Sequence, residues 1–427
     1  MNVSARLRGC LIAAAAALSS VAMSALPPTA ADASPVQGTS CPTFPSDNYW
    51  HADVRHLAVD SHSATWMAHM SPTRNVHPDF GPSFGEQPAP YGIPITVVAA
   101  GHAKVPVDFL YDDESDTGPY PLGDDTLVEG GQYTSGDRHT IVVDKDACRL
   151  WETWATSRSG SSWSAGSGAT WDLSSNALRP KGWTSADAAG LPILPGLLDY
   201  SEVEAGTVDH AIRFTTDQTD RTFIWPARHE AGSHSSSNYP PMGARFRLKS
   251  SYVIKSGLDP RTKVVLDAMK TYGLVLADNG SPWFFQGEAD DRWPHAVIDQ
   301  LKSVPASAFE AVDTAPLRAS DSSMQVLVHT PSTILATVRY SSQHPGKAAV
   351  TVNGATTPTG VVAIYDGSHR IARHSLLDGA VTLTFGKLSH GTHKLKVVYE
   401  GSKSLWPDFT PWRTVHVVSA SKTSHLS

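Results

Sequence analysis

Short apolar runs broken by glycine and proline make this chain a mainly β protein. It is expected to form a large β-sandwich or jelly-roll-like domain with a few helices, followed by a second, smaller β-sandwich. Three observations carry that expectation. Its 427 residues include 32 Gly and 30 Pro, which punctuate runs of four to seven residues. Those runs alternate apolar and polar residues with a period near two, the pattern of strands with one buried face. Only two stretches keep a helical spacing of apolar residues.

The chain opens with Arg6 and Arg8 ahead of an apolar, alanine-rich run that starts at Cys10 and weakens toward Leu26. The run is too short and too weakly apolar for a bilayer span, which needs about 20 strongly apolar residues. A basic start, a short apolar run and a small-residue site together read as a secretory signal over residues 1–33. Ala31-Asp32-Ala33 supplies the cleavage pattern, so processing is expected after Ala33, with Ala25 and Ala30 as alternatives. Cys10 lies inside the apolar run, which disfavours a lipoprotein anchor. The protein is therefore expected to be secreted and extracellular, with no membrane span. No sorting motif or apolar anchor follows Val418, which favours release over wall attachment.

Beyond the signal two cysteines remain, Cys41 and Cys148. In an oxidising compartment an isolated pair is most simply one disulfide. Neither has a Cys or His at metal-ligand spacing. The full chain carries a net charge of −7, and residues 1–33 hold two arginines and one aspartate, leaving about −8 beyond them. That balance argues against nucleic acid as the main partner, since phosphate binding needs clustered Lys and Arg.

Residues 34–47 form a lead-in rich in Pro, Ser and Thr, and residues 48–313 form the large domain. Ile95–Ala99, Val105–Leu110, Thr140–Val143 and Thr222–Trp225 read as strands, as does the stretch from Gly273 to Ala277. Arg245-Phe246-Arg247-Leu248 alternates charged and apolar residues, as a half-buried strand does. One helix starts at Asp259-Pro260, with Asp as N-cap and Pro at the first helical position. Val264, Val265, Ala268, Met269 and Tyr272 fall on one face, and Gly273 stops it. A second helix follows Trp293-Pro294, with Val297, Ile298 and Leu301 as its stripe.

A polar connector, residues 314–324, leads to the small domain at 325–419, with a short tail at 420–427. Strands are expected near 326–329, 334–340, 348–352, 361–365, 380–385, 393–399 and 413–418. Pro358-Thr359-Gly360, Asp366-Gly367, Gly379-Ala380-Val381-Thr382-Leu383, Gly391-Thr392-His393 and Val398-Tyr399-Glu400-Gly401 mark the turns and edges between them. In these features the last hundred residues, roughly 322–419, resemble a bacterial immunoglobulin-like repeat domain. The resemblance implies a seven-stranded Greek-key sandwich serving as a spacer or adhesive accessory outside the cell.

Ten of the twelve tryptophans fall in the large domain. Their rings can stack on the apolar faces of sugars, or fill a core, since each buries a large area. Trp151, Trp183 and Trp283, in loop-like surroundings, are the candidate substrate-binding residues. Trp225, within an apparent strand, suits the core better.

Catalytic candidates come from polar groups at strand ends, where a β scaffold presents chemistry. Asp137 and His139 precede one apparent strand; Arg228 and His229 follow another; Asp278 and Asn279 end an apolar run before Gly280. Asp, His and Asn together can supply acid, base and orienting roles. Arg228 suits bidentate pairing with a carboxylate. Each group also has a plainer role as turn former or hydrogen-bonded core residue. Residues 182–196 form a small, apolar, proline-punctuated block, which can cross an interior only if its backbone finds partners. Its Asp187 is either a buried carboxyl with a raised pKa or a capping residue.

No nucleophile elbow, zinc helix or phosphate loop occurs. No organic cofactor is expected; calcium is left open by the acidic loop Asp112–Asp116, although that loop lacks an EF-hand's pattern. Residues 48–313 also resemble exported bacterial proteins of unassigned activity. Asp79-Phe80-Gly81, Gly118-Pro119-Tyr120-Pro121, Trp225-Pro226-Ala227-Arg228-His229 and Pro241 to Leu248 carry that resemblance with the 182–196 block. It implies export and assigns no catalytic residue.

The expected function is that of an extracellular carbohydrate-active protein acting on a polysaccharide or cell-wall glycan, as glycoside hydrolase or polysaccharide lyase. A non-catalytic glycan- or wall-binding protein is the alternative, and a peptide- or ester-cleaving hydrolase a weaker third. Convergence of His139, His229, Asp278 and Asn279 on one pocket discriminates between enzyme and binder.

Overall fold

The computed structural model describes residues 33–82, 91–132, 134–418 and 422–426. Its architecture is mainly β, with several sheets and few helices. The signal segment lies outside the described residues except for Ala33.

The largest sheet has six strands in the order His77–Asp79, Phe284–Gln286, Ile212–Thr216, Leu274–Asn279, Arg245–Leu248 and Phe309–Val312. Its two central strands, Ile212–Thr216 and Leu274–Asn279, run parallel. Both are almost wholly buried, as expected for parallel strands covered on both faces. Arg245–Leu248, antiparallel between Leu274–Asn279 and Phe309–Val312, is likewise mostly buried rather than half-buried as expected. Arg245 is fully buried and donates to the carbonyls of Tyr49, Ala52 and Tyr272, so its charge is solvated by backbone rather than by water.

A four-stranded sheet orders Ile95–Val98, Thr140–Asp144, Arg149–Trp154 and Ser167–Asp172. Period-two alternation splits its side chains. Ile141, Val143, Leu150 and Trp171 join the main core, whereas Val142 and Trp151 join a separate cluster with Tyr120 and Trp163. Cys41 and Cys148 form a disulfide. It ties the lead-in to the hairpin between Thr140–Asp144 and Arg149–Trp154.

Four α-helices occur among the described residues: α1 (Ser63–His69), α2 (Tyr200–Ala205), α3 (Pro260–Thr271) and α4 (His295–Leu301). Asp259 caps α3 by accepting from Arg261 N, and Val265, Leu266, Ala268 and Met269 are its buried apolar residues. Gly273 ends it at φ +76°, where an added Cβ would meet Phe246 O at 2.2 Å. The two short helices α1 and α2 escape the sequence reading. Each buries too few apolar residues to make a stripe, Trp66 on α1 and Tyr200 and Val203 on α2, though Asp199 and Glu202 form a capping box on α2.

Thr222–Trp225 is no strand. Phe223 makes one isolated bridge to Met242, and the chain turns at Trp225, whose Nε1 donates to Ser323 O. Toward the C-terminus one sheet orders Ala380–Phe385, Gly346–Gly354, Ser332–Tyr340 and Lys422–Leu426. Another orders His369–Ser375, Val361–Asp366, Gly391–Tyr399 and Asp408–Phe409, with Arg413–Val417 also pairing Gly391–Tyr399. The two sheets share one buried cluster, including Val338, Val350, Ile364, Leu395 and Val397. No strand forms at 326–329, where Val326 makes a single bridge to Arg318. Residues 422–426, expected to be tail, pair with Ser332–Tyr340 as an edge strand.

Candidate functional site

The cleft of interest opens where the two central parallel strands end. Thr216 and Asn279 are their last residues, and the carboxyl ends of parallel strands are where open sheets present ligand sites. The register slips between Leu276 and Asp278. Such a bulge re-aims the side chain that follows it, here the Asp278 carboxyl. The cleft encloses about 470 Å³, and its polar lining includes Glu114, Asp137, Asp187, His229, Asp278 and Asn279.

The block at 182–196 forms one wall, and its backbone is satisfied as burial demands. Asp187 N donates to Ser185 Oγ, Gly190 N to Asp187 O, and Ala189 N to Ala277 O. This lays Asp187 against the strand that carries Asp278. Arg213, from the neighbouring strand, donates to both Asp187 oxygens, Nη2 to Oδ1 at 2.6 Å and Nε to Oδ2 at 2.9 Å. The same Nη2 lies 3.9 Å from Asp278 Oδ2.

These neighbours give the two carboxyls different surroundings. Asp187 has no side-chain exposure and a guanidinium on both oxygens. Asp278 keeps 24% of its side chain exposed, and no arginine is in hydrogen-bonding reach. Burial, then the Asp187 charge, pushes the Asp278 carboxyl well above the usual carboxylate range, although Arg213 opposes them. It also shares a hydrogen bond with Asp187, which favours its neutral form. Asp278 is thus a carboxyl with an open face whose surroundings favour its neutral form, while both oxygens of Asp187 are held by Arg213.

Asp137 stands exposed at the opposite wall, 3.4 Å from Trp154 Nε1, which donates to it. Trp154 stacks on Tyr111 at 6.5 Å between centroids and 27° between planes, and both rings line the cleft. The His229 Nδ1–H donates to Ala188 O at 2.8 Å, leaving Nε2 free toward Glu114, 3.7 Å away. Asn279 accepts from Thr219 Oγ1 and donates to Ala231 O, so it fixes the loop beside Asp278.

His139 lies behind this wall. It is buried, and its Nδ1 is 2.6 Å from Glu129 Oε2. Burial works against the imidazolium, but the Glu129 carboxylate outweighs it and lifts the pKa to about 8. Its Nε2 has no hydrogen-bond partner among the described residues. The His139 charge also reaches Asp278, where it favours the carboxylate.

Asp137, Asp187, His229, Asp278 and Asn279 therefore meet in one cleft, with His139 in electrostatic contact behind them. Arg228 does not join them: its Nε donates to Arg179 O, away from the lining. None of the three chosen tryptophans lines the cleft. Trp283 is fully buried and bonds Met70 O. Trp151 is buried in the separate cluster under Lys104, and Trp183 lies beside Arg179. Glycine-rich surroundings do not distinguish a surface ring from one packed under a loop.

Trp154, Tyr111, Glu230, Glu129 and Arg213 escape the sequence reading as site residues, and Glu114 entered it only as part of the acidic loop. Arg213 alone carries a readable signal, a charge within the apolar strand Ile212-Arg213-Phe214 that demands a buried partner.

A second cavity, about 240 Å³, is lined by Asp199, Glu202, His210 and Glu288 among others. Its acids are committed to α2. Asp199 accepts from Ser201 N and Glu202 N, Glu288 accepts from Tyr200 N, and Glu202 pairs with His210. In the acidic loop, Asp116 accepts from Thr170 N and Arg179. Among the described residues, no three His, Cys, Asp or Glu side chains group as ligands for a metal ion.

No protein-family model, curated protein or solved structure matches this chain.

Proposed function

We propose that this is an exported carbohydrate-active enzyme, a glycoside hydrolase that works with side chains alone. The observation that carries the reading is the setting of Asp278: a partly exposed carboxyl whose burial and neighbouring Asp187 favour its neutral form, facing a cleft that also holds exposed Asp137 and a stacked aromatic pair. Glycosidases need such a pair, one acid to protonate the leaving oxygen and one carboxylate to activate water or attack the sugar.

Asp278 is the acid in this scheme. Asp187 is not its partner, because two carboxyls sharing a hydrogen bond are closer than the roughly 5–5.5 Å a retaining pair requires. Its oxygens are also held by Arg213. Asp137, or Glu230 on the loop fixed by Asn279, supplies the carboxylate. Trp154 and Tyr111 offer a face on which a sugar ring can stack. The lyase alternative finds less support, since an arginine for an acidic sugar's carboxylate would have to be Arg228, which is turned to Arg179 O.

Export rests on the signal features of residues 1–33. The Ser34 backbone nitrogen donates to Asp209 Oδ2 at 2.9 Å, so cleavage after Ala33 would leave an ammonium opposite a carboxylate. The large body is read as a distorted sandwich, and residues 325–419 as an immunoglobulin-like accessory.

The test is a depolymerisation screen over neutral, amino and uronic-acid polysaccharides, with and without calcium. Reducing ends without absorbance from unsaturated sugars support hydrolysis. Both signals together move the assignment to a lyase. Glycan retention with neither signal makes the protein a binder.

A further inference from the structure

The chain divides sharply in charge. Residues 325–427 hold ten Lys and Arg against four Asp and Glu, whereas the rest of the chain holds 24 against 37. A basic end on an acidic protein is an asymmetry that calls for an acidic partner.

Strand alternation gathers part of that charge on one surface. Leu395, Val397 and Tyr399 point into the core shared by the two C-terminal sheets, so Lys394, Lys396 and Val398 face outward. Residues directly opposite across antiparallel strands share a face. Tyr365 opposes both Arg370 and Lys396, and Phe409 opposes Val398. Arg370, Tyr365 and Lys396 therefore form one row across three strands, its two cations roughly 10 Å apart. Phe409 and Trp412 continue it, with the Lys396 ammonium 3.9 Å from the first ring centre and 5.3 Å from the second. Phe409 is 58% exposed and Trp412 49%, so both rings stay open to solvent.

The carboxylates of these strands are committed elsewhere. Glu400 accepts from Arg373 through both oxygens, Asp366 pairs with His393, and Asp408 accepts from Ile334 N. Among the described residues, no carboxylate pairs with Arg370, Lys394 or Lys396. Three unpaired cations offer little to a nucleic acid, where affinity builds from many neutralised phosphates. Anionic membranes are met by denser clusters, about four to eight Lys and Arg. Single cations set beside exposed rings suit a chain of sugars that carries spaced acid groups: the rings take the apolar sugar faces, and the cations take the acids.

We propose that this outer face binds an anionic polysaccharide, with sugar rings against Phe409 and Trp412 and acid groups on Arg370, Lys394 and Lys396. None of these residues lines the cleft at Asp278, so the proposal stands apart from the hydrolase reading.

Affinity electrophoresis of the full chain tests it, through gels holding polygalacturonate, dextran sulfate, neutral dextran or double-stranded DNA, each run referred to a polymer-free gel. At least one acidic glycan should retard the protein, less so as salt rises, and dextran should not. Preference between the two acidic glycans assigns the anion as carboxylate or sulfate. Trp412→Ala should lower the affinity roughly threefold to tenfold, the worth of one ring contact. Lys394→Gln with Lys396→Gln should lower it about fivefold to tenfold. Arg339→Gln with Lys347→Gln removes the same charge from opposed, exposed positions of the neighbouring sheet and should change it less than about twofold. Thermal melts matching wild type show that each variant is folded. No retardation by either acidic glycan, equal retardation by dextran, preference for DNA, or equal losses in the two charge variants would overturn the proposal.

Discussion

Arg213 grips Asp187 through both carboxylate oxygens and at the same time lies 3.9 Å from Asp278. One cation thus sets two carboxyls apart, holding both oxygens of the first and leaving the second only partly compensated. The pair is buried, so removing one partner strands a charge. Asp187→Ala should cost about 3–5 kcal/mol of folding stability. The joint replacement Arg213→Met with Asp187→Leu should cost much less. Urea unfolding of the three proteins checks this; a single-variant loss under about 1 kcal/mol would contradict a buried ion pair.

Stability should fall as pH rises from about 5 to 9. Burial raises the Glu152 carboxyl to about 7, against the Ile193 and Leu194 N–H groups that favour its charge. Burial and the Asp199 charge raise Glu288 to about 8. For both, the contribution is complete below the ordinary value of 4.5 and is lost as pH climbs through the raised one. His139 and His210 are buried, yet Glu129 and Glu202 lift them to about 8 and about 9. Their contribution is complete below 6.5 and is also lost at alkaline pH. Asp209, pulled down to about 2 by His51 and Ser34 against its burial, acts at the acid end: its contribution is present above 3.8 and lost below. Melting temperatures should therefore peak near about pH 4–5, and a flat profile from pH 5 to 9 would contradict these environments.

The tryptophans divide by environment. Trp154→Ala should leave the fold intact and raise KM roughly tenfold, the value of one stacked ring. Trp283→Ala should destabilise by about 3–5 kcal/mol, because it empties a filled core position. Thermal melts beside steady-state kinetics separate the two effects.

Much of this was legible in the chain, for stated reasons. Asp259-Pro260 and Gly273 bounded α3 because capping is local chemistry. Asp137, Asp187, His229, Asp278 and Asn279 drew attention as polar groups beside turns or within apolar blocks, and those positions do meet. Their grouping was not legible, since it depends on the parallel pairing of Ile212–Thr216 with Leu274–Asn279, some 60 residues apart in sequence. Nor was the fate of Arg228, whose partner is a backbone carbonyl that no side-chain pattern reveals. Trp154 was indistinguishable from its neighbours until the Tyr111 ring lay against it.

Cys41 and Cys148 close a sequence separation of 107 residues. Removing the link by Cys41→Ala with Cys148→Ala should cost about 4–5 kcal/mol in the chain-entropy account. Denaturant titration of that double variant against the oxidised protein measures it. A loss below about 1 kcal/mol would show that the lead-in is held by packing alone.

The central claim is that Asp278 is the acid of a hydrolytic cleft. The most direct test is Asp278→Asn, assayed for reducing ends on whichever glycan the wild type degrades, across pH 4 to 8. The account predicts that the variant folds and binds the glycan but loses about 10²–10⁴-fold in kcat. Wild-type activity should fall as pH rises and Asp278 gives up its proton. Full activity in the variant, or wild-type release of unsaturated sugars in place of simple reducing ends, would contradict it.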